Sequence, residues 1–151
     1  MPLAIPDSIR LEHEELHDAL ARASREKDPL GEAARRVARI LKPHVAKEEL
    51  FALPPLGLLE DAARGKRSTA ESVAADMIAR LERELEDMLA EHRVIIGALE
   101  EFMVAAKAAN RVDYAELASK LVHHMRMEKE VLYPAALVLG EYLKSRPAGA
   151  G

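Results

Sequence analysis

The sequence contains no cysteine and no tryptophan. Without thiols there is no disulfide framework and no thiolate ligand, so any metal site must be built from imidazole and carboxylate. Aromatic residues make up only 3% of the 151 residues, against 49% hydrophobic residues in all. The apolar content is therefore Ala, Leu, Val, Ile and Met, mostly good helix formers. Gly and Pro are few and clustered, which implies few and short connections. No apolar run reaches about 18 residues, so no membrane span is expected. Positive charge is not in excess: the net charge is −4 and no basic stripe exists, which argues against nucleic-acid binding. The opening segment MPLAIPDSIRLEHEE lacks the basic region and apolar core of a signal peptide. The expectation is a single domain over residues 1–151 in the cytoplasm.

What is present is helical periodicity. Ile9, His13, Leu16, His17 and Leu20 share one face of a helix predicted from about Asp7, read as its N-cap, to Arg25. After a turn at Lys27–Gly31, a second helix runs from about Glu32 to Leu53, with Val37, Leu41, His44, Glu48 and Phe51 inward. Pro54 and Pro55 end it. Leu56 to Arg64 reads as a short helix or an ordered turn, and Ser68 with Glu71 resembles a capping box. Val73, Met77, Leu81, Leu85, Met88, His92, Ile95, Leu99, Phe102 and Ala106 then form one pattern without proline. As one helix of about 40 residues it would be roughly 60 Å long. Either its first half, Ser68 to about Leu85, overhangs and offers a partner surface, or the helix bends. Asp113 is read as the cap of a fourth helix carrying Leu121, His124, Met125, Glu128 and Leu132 inward, with a kink at Pro134 and a frayed tail over 146–151. The fold class expected is all-α: an antiparallel up-down four-helix bundle.

The donor residues repeat. His44, Glu48 and Pro54 recur 80 residues later as His124, Glu128 and Pro134, and His13 recurs 79 residues later as His92. The chain thus reads as two helix-pair repeats, about 7–55 and 69–144. A His-x-x-x-Glu spacing puts both side chains on one helix face, one turn apart. Surface His–Glu pairs worth a few tenths of a kcal/mol would not explain the duplication. Four imidazoles and two carboxylates in one interior layer would be costly without a metal ion, and N/O donors suit iron, manganese or zinc. His17 reads as a further ligand or as a core-edge histidine bonded to Glu14 or to a backbone carbonyl. His123, aligned with Pro43, reads as solvent-facing, and Glu49 as a supporting or surface group. Phe51, Tyr133, Leu132, Ile95 and Met125 read as lining the site or packing the core. His13–Glu14–Glu15–Leu16–His17 also matches the H-E-x-x-H zinc-hydrolase pattern, but no strand or third ligand accompanies it. Glu14 with His17 gives one Glu-x-x-His of the ferritin-like type, where two are needed.

Glu12–His13, His44-x-x-x-Glu48–Glu49 with Pro54, Glu91–His92, and His124-x-x-x-Glu128 with Val131–Leu132–Tyr133–Pro134 together resemble the hemerythrin-like, or HHE cation-binding, domain family. The resemblance covers about residues 5–140. It implies a left-turning four-helix bundle around a non-haem di-iron centre, in which two carboxylates and an oxo or hydroxo group bridge the metals. On that resemblance Glu48 and Glu128 are the bridges, and His13, His44, His92 and His124 are terminal ligands. Oxygen-carrying members have five His, two of them four apart on the third helix. Here Ile96 stands four residues after His92, while the pair His13–His17 lies on the first helix. His17 is therefore the expected fifth ligand, moved to the other half. With three bridging oxygens, a metal with three His is closed and one with two His keeps an open position. The function expected is a di-iron protein that binds or senses dioxygen or a related small oxidant, or handles iron, with zinc or manganese as other possible ions. A di-iron oxidase or peroxide-reducing enzyme, and a helical interaction module with a structural metal, stay open, as does a protein partner or a second copy.

Overall fold

Helical periodicity becomes helix wherever proline and turn residues allow it. The computed structural model describes residues 3–146. In it α1 spans Asp7–Ala23, α2 Leu30–Lys47, α3 Leu59–Ala63, α4 Glu71–Ala108, α5 Val112–Met127 and α6 Tyr133–Ser145. A π turn, Glu48–Ala52, continues α2; a second, Glu128–Leu132, joins α5 to α6; a 3₁₀ turn, Pro54–Leu58, leads into α3. No strand occurs among the described residues. The architecture is the expected all-α, antiparallel up-down four-helix bundle of two helix-pair repeats, its four rods being α1, α2, α4 and α5 with α6. None of the helices is long and apolar enough to cross a membrane.

The helix starts differ in detail from expectation. Asp7 and Asp113 are not caps. Asp7 lies in the first turn of α1, behind Pro6, and pairs with Arg10; Asp113 lies in the first turn of α5 and pairs with Arg111. A carboxylate there still favours the helix through the positive N-terminal end of its dipole. Only half of the expected capping box forms. The Ser68 N–H donates to the Glu71 carboxylate at 3.4 Å, while the Ser68 hydroxyl accepts from Ala70 N–H. The end of α4 is closed by Asn110, whose φ of 57° is left-handed, with Arg111 N–H donating to Ala106 O and Asn110 N–H to Lys107 O.

Helix α4 neither overhangs nor breaks. It runs unbroken for 38 residues, and its first half is covered by the chain itself. Ala74 and Ile78 are buried with Leu58 and Leu139, and Leu81 is buried with Phe51 and Tyr133. Val73, expected inward, is 49% exposed, and Ala74 takes the inward position. Close approach of α6 to α4 depends on Gly140: a Cβ there would stand 2.6 Å from Cγ2 of Ile78. Arg146, expected in a frayed tail, is anchored on Glu71 at 2.6 Å; the rest of that tail, 147–151, lies outside the described residues.

Three apolar clusters fill the bundle, and two of them flank the donors. One holds Leu16, Leu41, Leu99 and Leu121, the other Phe51, Leu53, Met88 and Tyr133. On every rod the expected donor lies between them in sequence: His13 before Leu16, His44 between Leu41 and Phe51, His92 between Met88 and Ile95, His124 between Leu121 and Tyr133. The donor layer is thus sandwiched between two apolar layers.

Candidate metal centre

Each His-x-x-x-Glu pair is followed by a π turn that starts at the carboxylate. Leu53 N–H donates to Glu48 O at 2.9 Å, and Tyr133 N–H donates to Glu128 O. The wider turn suits the proline one residue further on, whose ring would otherwise collide with the carbonyl four residues back. The kink expected at Pro134 therefore takes the form of a π turn just before it. The same turn returns residue i+5 to the face of residue i, so Tyr133 comes back to the face of Glu128.

Six of the seven residues singled out in the sequence meet. His13, His44, Glu48, His92, His124 and Glu128 are all buried, the two carboxylates completely. Their donor atoms form two groups, His44 with Glu48, His92 and Glu128, and His13 with His124 and Glu128, each group lying within 4.8 Å. Glu128 belongs to both. Its Oε1 is 3.2 Å from His92 Nε2, while its Oε2 is 3.0 Å from His124 Nε2 and 3.5 Å from His13 Nε2. His13 and His124 face each other with their Nε2 atoms 2.9 Å apart.

The seventh residue, His17, is not brought into either group. Its ring is exposed and stacks on His13 with centroids 6.0 Å apart. Glu14, read as its possible partner, pairs instead with Arg10. His17 borders an open hollow of about 420 Å³ shared with Arg10, Glu14 and Glu49, and also a small inner cavity of about 10 Å³ reaching His13, Glu48 and His124. It stands at the mouth of the site. His123 and Glu49 lie outside both groups.

Two residues named only as parts of motifs turn out to hold the imidazoles from behind. Glu91 accepts from His44 Nδ1–H at 2.7 Å and from Lys47 at 2.5 Å. Glu12 accepts from His124 Nδ1–H. The two pairs are equivalent under the 80-residue repeat, and each crosses between helices, which no spacing within one helix reveals. A carboxylate on Nδ1 fixes the tautomer and turns Nε2 inward. Tyr133, read as lining, does more: its hydroxyl donates to Glu48 Oε2 at 2.8 Å.

The electrostatics are those of a site awaiting positive charge. Burial, reinforced by the charge of Glu128, pushes the Glu48 carboxyl well above the usual carboxylate range. Glu128 is held well below it: burial opposes ionisation, but its close contacts with Glu48, His124, His13 and His92 outweigh it. Burial lowers His44, whereas the carboxylates of Glu128 and Glu12 overcome burial and raise His124. Oε1 of Glu48 and Oε1 of Glu128 are buried with no hydrogen-bond partner. Unpartnered buried carboxylate oxygens are costly. A cation among these donors would meet both, and a set of imidazole and carboxylate with no sulfur suits a borderline divalent metal. The residues fit a metal ion.

The hemerythrin HHE cation binding domain model matches residues 4–136. No curated protein and no solved structure matches the chain.

Proposed function

The chain belongs to the hemerythrin HHE cation-binding family, and from that premise we propose that it is a non-haem di-iron protein that binds or senses dioxygen or a related small oxidant. In this reading residues 1–151 are one such domain. His44, His92 and Glu48 would hold one ion, His13 and His124 the other, with Glu128 between them. The observation that carries the reading is the division of Glu128, one oxygen towards His92 and the other towards His124 and His13. Glu48, with a free buried oxygen, is the candidate second bridge. Zinc and manganese are the competing ions for the same donors.

Bound iron would supply electrons and coordination positions that no side chain provides. The rest is done by the chain. Glu91 with Lys47, and Glu12, hold the imidazoles of His44 and His124 in place. The two apolar clusters exclude bulk water from both sides of the donor layer. The inner cavity beside His17 has room for about one water-sized molecule, which matches a diatomic or a peroxide better than an organic substrate. His17 is assigned to this entrance and not to the ligand set.

The test is anaerobic loading with ferrous iron, with ultraviolet–visible spectra before and after air. New oxo-to-iron bands in the near ultraviolet are expected. Reversal on removing oxygen would indicate carriage, and irreversible oxidation would indicate redox or sensing chemistry. A protein that takes up no iron under these conditions would contradict the proposal.

A further inference from the structure

Tyr133 is 1% exposed, and its hydroxyl oxygen lies inside one donor group. It is 2.8 Å from Glu48 Oε2, 3.0 Å from His92 Nε2 and 3.3 Å from His44 Nε2. A phenol has one proton to donate, and here Glu48 receives it. His44 commits its Nδ1–H to Glu91, so the Nε2 of the neutral ring carries a lone pair. The contact between that nitrogen and the Tyr133 oxygen therefore sets two lone pairs face to face. Beside them lies Glu48 Oε1, which has no partner at all. The Tyr133 oxygen, His44 Nε2 and Glu48 Oε1 thus converge on one buried space, with the Glu48 oxygen left unsatisfied. A cation is the simplest group that resolves this.

Resting on the di-iron reading above, we propose that Tyr133 is itself a metal ligand, its phenol oxygen binding the ion held by His44, His92 and Glu48. On binding, the O–H bond breaks, the proton leaves to solvent water and an oxygen–metal bond forms; nothing is oxidised or reduced. The other half of the repeat has no counterpart. Eighty residues earlier stands Leu53, which offers no donor. The two ions are therefore inequivalent. The phenol would complete the donor set of one, whereas the donors His13 and His124 border the small cavity beside His17, the route open to an external molecule.

The experiment loads the protein with ferric iron, counts iron per chain, and records visible absorption and resonance Raman spectra. A phenolate-to-iron band in the visible, with enhanced tyrosine ring vibrations, is expected in the wild type and lost in Tyr133→Phe. The double variant Tyr114→Phe/Tyr142→Phe, which leaves Tyr133 the sole tyrosine, is expected to keep the band. This arm holds even if Tyr133→Phe fails to fold. Iron bound without any phenolate band, or a band that disappears in the double variant, overturns the assignment of Tyr133 while leaving the di-iron reading standing. No iron bound overturns both.

Discussion

Glu12 and Glu91 show how single residues set the site without entering it. Each places a carboxylate behind an imidazole on another helix. Outer partners of this kind typically account for about 10- to 100-fold in metal affinity. Glu91→Gln is expected to weaken binding of the ion at His44 by that factor, with unchanged helix content; competition with a chelator of known affinity measures it. Unchanged affinity would mean that packing alone orients His44. At this scale the sequence was informative wherever donors lie four apart on one helix. His44, Glu48, His124 and Glu128 could be read directly, and the 79-residue offset added His13 and His92. Partnerships across helices could not be read: Glu12 and Glu91 were visible as Glu–His neighbours, but their targets depend on how the helices face. His17 has the same four-residue spacing as the His-x-x-x-Glu pairs but lies in neither donor group. It borders instead the open hollow and the small inner cavity that reaches His13, Glu48 and His124.

At the scale of elements, the two π turns decide where the second half of the site points. Matched prolines marked a break at both places, yet nothing in side-chain pattern distinguishes a kink from a π turn. The role of Tyr133 was hidden with it, since an α-helix would carry residue i+5 away from the face of Glu128. Helix α4 is a parallel case. Nine apolar positions and His92 without proline allowed one helix but left a bend open, and the cover of its first half could not be read, because periodicity does not say which element lies alongside. That cover depends on Gly140 against Ile78. Gly140→Ala gains about 1 kcal/mol of helix propensity but forces a β-branched neighbour aside, and overpacking costs about 1–3 kcal/mol. Gly140→Ala is expected to destabilise the wild type and to stabilise the Ile78→Ala background. A double-mutant cycle by chemical denaturation checks the sign change; the same sign in both backgrounds would show that α6 does not rest on Ile78.

For the whole molecule, the donor layer opposes folding until charge is supplied. Two buried carboxylates lie within one layer of an apolar bundle, and burying unpaired charge costs several kcal/mol. Metal that binds only the folded chain stabilises it, by about 2.7 kcal/mol at 100 times its dissociation constant. Thermal denaturation is expected to show a higher Tm with ferrous iron than with chelator. Glu48→Gln, which keeps an acceptor for Tyr133 and removes the charge, is expected to raise the Tm of the metal-free protein and to lose most of the metal-induced gain. A variant less stable than the metal-free wild type would mean that Glu48 is a structural group first. The bundle and its twofold construction were legible at this scale because the repeat spans most of the chain. The central claim is that Glu128 serves two ions at once. Metal analysis of anaerobically iron-loaded wild type, His17→Ala and Glu128→Gln tests it most directly. One ion for each donor group, hence two per chain, is expected in the wild type and in His17→Ala, and neither is expected to be retained in Glu128→Gln. A wild type without iron, or a Glu128→Gln chain that still holds both ions, would contradict it.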